Sequence, residues 1–271
     1  MRLFNSSQRF SMSLAAAAFA LVLPKTVAAQ ENNAPAIRTQ VVVELFTSEG
    51  CSSCPPADQL LARLEASQPI KNVEIIALEE HVTYWNQGGW IDPFSSDLFS
   101  IRQYDYAGKL GNGNAYTPQM VVDGQKEFVG SREVQAAGAI QRAARQKKIE
   151  VKITPEAHTA GEVQTCRIEV GSLADMPGGD IPEIWMAISE TGLHSNVKAG
   201  ENAGEDLHHA AVVRKLRKIG EAKSPGPISF SDDERVKLDR GWKGENTRIV
   251  VFIQERKSKK ILGAASAKLP T

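Results

Sequence analysis

The chain has 271 residues, with 32 basic and 32 acidic side chains, so its formal net charge is zero. This balance gives no electrostatic reason to expect nucleic acid or an anionic membrane surface as a partner. Its three cysteines are too few for a scaffold held together by disulfides. The length and apolar content suit two modest globular domains or one large domain.

The first 29 residues have the pattern of a secretory signal. Basic side chains precede an apolar run at Met12–Leu23, and Val27–Ala29 forms a small-residue cleavage site. The apolar run is shorter than the about 20 residues that a membrane-spanning helix needs. We therefore expect cleavage near Ala29, a secreted or periplasmic mature chain with no membrane insertion, and a linker at residues 30–39. Cleavage removes three basic residues and no acidic one, so the mature charge is −3.

Strand and helix patterns alternate over residues 40–148. The apolar run Val41–Phe46 predicts a buried strand, and the spacing of leucines in Cys54–Ser67 predicts a helix. The next predicted elements are a strand at Val73–Leu78, a helix at Ser95–Ala107, a hairpin around Asp123-Gly124 and a helix from Ser131 to about Lys147. This order is typical of an α/β thioredoxin-like domain.

The pattern changes after Lys148, where we place a domain boundary. Apolar and polar residues alternate at Ile149–Ile153, which is the period of a half-buried strand. Similar segments recur, separated by turns, at Val163–Val170, Ile184–Glu190, Ala211–Lys218, Arg235–Leu238, Arg248–Gln254 and Ile261–Ala267. Residues 149–271 are therefore predicted to form a mostly antiparallel β-sandwich-like domain.

The pair Cys51-Ser52-Ser53-Cys54 lies between the first predicted strand and the first predicted helix. Two cysteines at this spacing can form a redox couple, a static disulfide or half of a zinc site. A helix N-terminus favours a thiolate, which is the reactive form of cysteine. The chain has no second pair of this kind to complete a structural zinc site, so the context favours redox chemistry.

Several motifs resemble those of one family. They are the segment Phe46–Asp58 around the cysteine pair, His81–Trp85, Gly89–Phe94, Tyr116–Gln119, Gly200–Gly204, His208 and Val212–Arg214. On these residues the chain resembles an uncharacterised secreted thioredoxin-like family, known as domain of unknown function 1223. The resemblance covers most of the mature chain and carries no established reaction.

The resemblance implies roles for four residues. Cys51 is expected to attack a substrate disulfide and Cys54 to resolve the mixed disulfide, and Cys51 should be the more exposed thiol because it comes first. Thr117 and Pro118 resemble the cis-proline element that faces the cysteines and presents backbone groups to substrate. We therefore expect an exported thiol:disulfide oxidoreductase without cofactor or bound metal. Its partners would be protein thiols or disulfides and an unidentified redox partner.

Two other classes of function remain open. One is a non-catalytic copper(I)-handling protein that uses Cys51, Cys54 and His81, since thiolates and imidazole suit copper(I). The other is a structural or partner-binding module with a static disulfide. His81 is also a candidate for tuning the Cys51 thiolate, although a loop histidine bonded to backbone is the simpler interpretation.

Further residues receive simpler interpretations. Glu79 and Glu80 form an acidic pair that could serve as a base, and solvated charges at a strand end are the simpler interpretation. His208 and His209 are adjacent, so a strand would point them to opposite sides. The segment Gly200–Gly204 predicts a structured turn, and Cys166 is expected to be an inert, buried thiol.

Overall fold

The computed structural model describes residues 1, 3, 38–111, 113–156, 163–172, 180–221 and 228–269. Nearly all of the predicted signal peptide and most of the predicted linker therefore lie outside the part of the chain that is described. The α-helices are α1 (Pro55–Ser67), α2 (Asp97–Leu110) and α3 (Glu133–Ala144). Among the described residues, none of the helices has the length and apolar character needed to cross a membrane.

The strands in chain order are β1 (Thr39–Thr47), β2 (Val73–His81), β3 (Gln119–Val122), β4 (Lys126–Val129), β5 (Val151–Glu156), β6 (Val163–Gly171), β7 (Pro182–Glu190), β8 (Leu193–Asn196), β9 (Asp206–His209), β10 (Val212–Glu221), β11 (Ile228–Lys237), β12 (Thr247–Glu255) and β13 (Ile261–Lys268). Eight of them form a mixed sheet in the order β13-β12-β7-β10-β2-β1-β3-β4. Strand β2 runs parallel to both β1 and β10, and the other neighbours are antiparallel. A three-stranded sheet β11-β6-β5 and the hairpin β8-β9 complete the described strands.

The predicted fold class, a thioredoxin-like α/β domain followed by a β-sandwich-like domain, is wrong. The described residues form a mostly β structure with three α-helices, and one large sheet contains strands from both sides of Lys148. Strand β10 lies directly beside β2, so the strands that were expected to form a separate sandwich extend the sheet that begins with β1.

The physical reason lies in strands β7 and β12, which bury both of their faces. On β12, Ile249, Val251 and Ile253 pack against the three-stranded sheet, in a core that includes Ile168 and Val170. The residues between them, including Val250 and Phe252, pack with residues of β1, β2 and α2. A strand that is buried on both faces belongs inside a large sheet that is covered on both sides. The sequence pattern had instead predicted strands with one face exposed to solvent.

Most of the individual elements appear near their predicted positions. Along β2, successive side chains point to opposite faces of the sheet, and this creates one polar region on each face. The apolar residues Ile75 and Ala77 of β2 pack on the side of helix α1, whereas Ile76 and Leu78 pack on the side of α2. Because successive side chains of a strand point to opposite faces, Glu79 belongs to the α1 side and Glu80 to the α2 side. Both carboxylates are fully buried, so the prediction that they are solvated is wrong.

Candidate functional site

Cys51 and Cys54 form a disulfide at the junction of β1 and α1, with their Cα atoms 5.4 Å apart. Cys54 is the N-cap residue of α1, and two prolines occupy the first positions of the helix. Proline fits there because the first N–H groups of a helix have no partner within the helix. The prediction of a disulfide is confirmed, and the sequence places it at the positive end of the helix dipole.

The disulfide is covered rather than open to solvent. Both cysteines are 0% exposed, whereas Ser52 and Ser53 between them are exposed. The expectation that Cys51 is the exposed thiol is therefore wrong for this oxidised form. Asn202 lies against this loop, and its side-chain amide donates to the carbonyl of Cys51 at 3.0 Å and to that of Glu49 at 2.8 Å.

The segment Gly200–Gly204 thus forms a cover over the disulfide loop. Its residue Glu201 accepts hydrogen bonds from the backbone N–H and the hydroxyl of Ser52, at 3.0 and 2.7 Å. These two bonds lower the pKa of the exposed Glu201 carboxyl. Gly200 and Gly204 have φ angles of 79° and 95°, a backbone region that favours glycine. The predicted structured turn is present, and it contacts the cysteine loop directly.

The Thr117–Pro118 peptide bond is cis and lies beside the end of β1. The next residue, Gln119, pairs with Phe46, so Pro118 lies beside the end of β1, from which the chain continues to the disulfide. Thr117 accepts a hydrogen bond of 2.7 Å from the indole N–H of Trp85. The substrate-binding role of Thr117 and Pro118 stays a prediction.

Beside the disulfide loop, five buried polar residues form a group that we call the imidazole cluster: Glu49, Glu79, His81, Asp92 and His209. His81 Nδ1 is 2.7 Å from Asp92 Oδ2, and its Nε2 is 3.4 Å from Glu79 Oε1. His209 Nδ1 is 2.8 Å from the same Glu79 oxygen, and its Nε2 is 3.1 Å from Glu49 Oε1. The two imidazole rings are 4.8 Å apart.

The carboxylates of the cluster shift the pKa values of the two histidines. Burial alone would lower the pKa of His81, but Asp92 and Glu79 raise it well above its usual range. Burial would likewise lower the pKa of His209, and Glu79 and Glu49 raise it to about 9. Burial would raise the pKa of Glu79, but the two histidines lower it to about 2. The cluster thus combines opposite charges in a site that water does not reach.

The imidazole cluster is joined to the disulfide loop through Glu49 and Asp92. The backbone N–H of Glu49 donates to Asp92 Oδ2 at 2.8 Å, and the side-chain carboxylate of Glu49 accepts from the Trp90 indole N–H at 2.7 Å. Among the described residues, the polar partners of His81 are Asp92 and Glu79, so the structure does not join His81 to the cysteines. Two chains of contacts connect His81 to Glu49 of the disulfide loop: one runs through Asp92, and the other runs through Glu79 and His209.

Asp58 is a further buried carboxyl close to the disulfide. It follows Cys54 by four residues on α1, and such residues lie on the same side of a helix. Thr47 donates a hydrogen bond of 2.6 Å to Asp58 Oδ1. Burial and the charge of Glu79 raise the pKa of Asp58 to about 7, against the opposing effect of His209.

A second buried group, which we call the arginine cluster, lies on the α2 side of the sheet: Glu44, Glu80, Arg102, Tyr106 and Gln254. Arg102 donates to Glu44 at 2.6 Å, to the Tyr106 hydroxyl at 3.0 Å and to Gln254 at 3.0 Å. Burial and Glu44 raise the pKa of Glu80 well above its usual range, against the opposing charge of Arg102. The hydrogen bonds of Arg102 go to other members of the cluster, and two of these members lie on β1 and β12. The arginine cluster therefore holds α2 to the sheet.

Sequence reasoning found the cysteine pair but missed much of what surrounds it. Asp92 and Asn202 had no individual role in the predictions, and Glu79 was singled out without its partner His209, because long-range pairing brings these residues together. The opposite orientation of adjacent His208 and His209 is confirmed, since the first is exposed and the second is buried on β9. Cys166 is a buried free thiol, as predicted, and burial raises its pKa to about 11.

The fold and the site together define a mixed-sheet protein with a covered C-x-x-C disulfide beside a buried histidine–carboxylate cluster. The chain belongs to the family described as protein of unknown function (DUF1223), which matches residues 42–254. No curated protein matches the chain.

The solved structures that are similar to this chain include the following two. One is a structural-genomics protein from Agrobacterium tumefaciens, with a TM-score of 0.62 and 24% identity, covering 86% of this chain and 96% of that one. The other is HBP35 of Porphyromonas gingivalis, with a TM-score of 0.63 and 16% identity, covering 86% and 76%. At these identities the similarity shows a shared fold and no shared activity.

Proposed function

We propose that this protein is an exported thiol:disulfide oxidoreductase whose reacting groups are Cys51 and Cys54. The observation that carries the proposal is a disulfide closed across two exposed residues at the N-terminus of α1. Such a position stabilises a thiolate, and the thiolate is the form that attacks disulfides. An oxidising compartment outside the cytosol, as the N-terminal pattern suggests, is where such a pair can exchange.

In the proposed reaction the reduced Cys51 thiolate attacks one sulfur of a substrate disulfide. A mixed disulfide forms and the first substrate thiolate leaves. Cys54 then attacks the Cys51 sulfur, which closes the protein disulfide and releases the second substrate thiol. The protein dithiol loses two electrons and the substrate disulfide gains them, and the reverse sequence oxidises a substrate dithiol.

Two neighbouring features have roles in this proposal. Asp58, one turn beyond Cys54, is the acceptor for the proton that Cys54 must lose, since a base is most effective when its pKa is close to the working pH. The cover formed by Gly200–Gly204 must move before a substrate sulfur can approach, because the cysteines are buried beneath it. The cover thus limits the rate and selects substrates that can displace it.

The burial of both cysteines favours a second candidate, a static disulfide that fastens β1 to α1. A trapping experiment separates the two. In a Cys166→Ser background, Cys54→Ser is mixed with oxidised glutathione and the products are resolved by mass. The exchange proposal predicts a stable mixed disulfide on Cys51, with little on the matched Cys51→Ser variant. Equal labelling of both variants, or of neither, favours the static disulfide.

A further inference from the structure

The imidazole cluster has the donor set and the geometry of a metal site. Glu79 Oε1 lies 2.8 Å from His209 Nδ1 and 3.4 Å from His81 Nε2, and the candidate ligand atoms of these three residues lie within 4.8 Å of one another. Bonds of 2.0–2.1 Å to a tetrahedral ion place ligand atoms about 3.3 Å apart. An ion would replace the proton between Glu79 and His209, whose 2.8 Å separation must open slightly, while the two imidazole nitrogens, which lie within 4.8 Å of each other, close around it.

His81 supplies an independent observation. Its Nε2 is fully buried and lies 3.4 Å from Glu79 Oε1, which is an ion-pair distance but lacks the geometry of a hydrogen bond, and it makes no hydrogen bond among the described residues. A buried nitrogen without a partner is costly unless something binds it. The other ring nitrogen of His81 is bonded to Asp92 at 2.7 Å, which fixes the ring orientation and directs Nε2 into the cluster.

Each candidate ligand is supported by a second residue. Asp92 holds the far nitrogen of His81, and Glu49 holds the far nitrogen of His209 at 3.1 Å. The second oxygen of Glu79 accepts from the backbone N–H of Ala210 at 3.1 Å. A carboxylate on the outer nitrogen of each ligating histidine is the arrangement that orients metal ligands in proteins.

From this geometry we infer a binding site for one divalent transition-metal ion, with His81 Nε2, His209 Nδ1 and one oxygen of Glu79 as its ligands. Two imidazoles and one carboxylate suit ions such as Zn²⁺, Fe²⁺ or Mn²⁺ better than Mg²⁺ or Ca²⁺, which take oxygen ligands. The ion joins β2 to β9 and, through Glu49, holds the chain that leads into the disulfide. This site differs from a copper site at the cysteines, and it does not depend on the proposed redox function.

The test uses the oxidised full mature chain, so that Cys51 and Cys54 offer no thiolate. Because the ligands are buried, the protein is refolded with Zn²⁺ as the probe, passed through a desalting column and assayed for metal by mass spectrometry. One equivalent per chain is expected. His209→Gln should lose it, and Asp92→Asn should bind about 10–100-fold more weakly. The matched control is His208→Gln, an exposed neighbour that should keep the full equivalent.

Several results would overturn the inference. The wild-type chain binding no Zn²⁺, or binding it only after the disulfide is reduced, rules out this site. Loss in His208→Gln but not in His209→Gln assigns the ion to the exposed residues His194, Asp206 and His208 instead. Should His209→Gln fail to fold, the Co²⁺ absorption spectrum of the wild-type chain decides. Intense bands of a low-coordinate nitrogen and oxygen site are expected, and the weak spectrum of hydrated Co²⁺ contradicts the inference.

Discussion

Replacing Asn202 with alanine should make the disulfide much easier to reduce. The Asn202 amide donates to the buried carbonyls of Glu49 and Cys51 at 2.8 and 3.0 Å, and these bonds hold the cover on the disulfide loop. The Cys51 carbonyl keeps a second hydrogen bond, of 3.1 Å, from the backbone N–H of Cys54, so the substitution leaves the Glu49 carbonyl as the unpaired acceptor. Leaving a buried acceptor unpaired costs about 1–3 kcal/mol, so the closed cover loses at least about 1 kcal/mol relative to the open one. Since 1.4 kcal/mol is a factor of ten, the open population rises at least about 5-fold.

The assay is the rate at which dithiothreitol reduces the disulfide of the folded protein, followed by quenching and thiol labelling. Reduction that requires opening of the cover should accelerate in Asn202→Ala by the same factor as the open population. The matched control is Lys198→Ala, an exposed residue of the same connection between β8 and β9, which should leave the rate unchanged. Urea unfolding of each variant separates opening of the cover from a loss of global stability.

An unchanged reduction rate in Asn202→Ala would refute this reasoning. It would mean that the reductant reaches the sulfur atoms by a path that does not involve the cover. A faster rate matched by an equal loss in the free energy of unfolding would also count against it, because reduction would then proceed through global unfolding.

Three further predictions concern the buried charges. Arg102→Met should lower the free energy of unfolding by about 3–5 kcal/mol, because it leaves Glu44 buried without its cation. Arg167→Met, which removes an exposed ion pair, should cost less than about 1 kcal/mol in the same urea titration, and equal costs would contradict the argument. Asp58→Asn should slow thiol exchange about 100-fold and remove the step near pH 7 from its rate profile, whereas an unaltered profile excludes Asp58 as proton acceptor. Because the pKa of Glu80 is raised, the folded protein keeps a proton on this carboxyl that the unfolded chain loses above about pH 4.3. The contribution of Glu80 to the free energy of unfolding therefore falls as the pH rises from there through the folded-state pKa. Urea midpoints at pH 5 and 8 should therefore differ less in Glu80→Gln than in the wild-type chain, and an equal difference would refute the assignment.

Local patterns predicted the elements that carry their own signals. Helix α1 ends at Ser67 as predicted, and the turn of the β3–β4 hairpin lies at Asp123 and Gly124, both with positive φ. The cysteine pair appears where the strand and helix patterns meet. Such features depend on residues close in sequence, so one short segment contains the information needed.

The arrangement of the sheet could not be predicted in this way. In the structure β10 lies beside β2, and Val212 pairs with Glu79. These two residues are far apart in the sequence, and a local sequence pattern cannot predict such a pairing. The same pairing brings His209 to Glu79 and buries a charge that the strand-end position had suggested was solvated. The strands β8 and β9 are as short as β3 and β4, but the long connection from Asn196 to Asp206 replaces the Asp-Gly turn that identified the β3–β4 hairpin, so β8-β9 was missed.

The most direct test of the central proposal is the reduction potential of the Cys51–Cys54 pair in the mature protein, measured by equilibration in glutathione buffers with thiol trapping. The exchange proposal predicts a value within the range of known exchange proteins, about −270 to −120 mV, and the value itself gives the direction of the reaction. A pair that remains oxidised below about −300 mV behaves as a structural disulfide and contradicts the proposal.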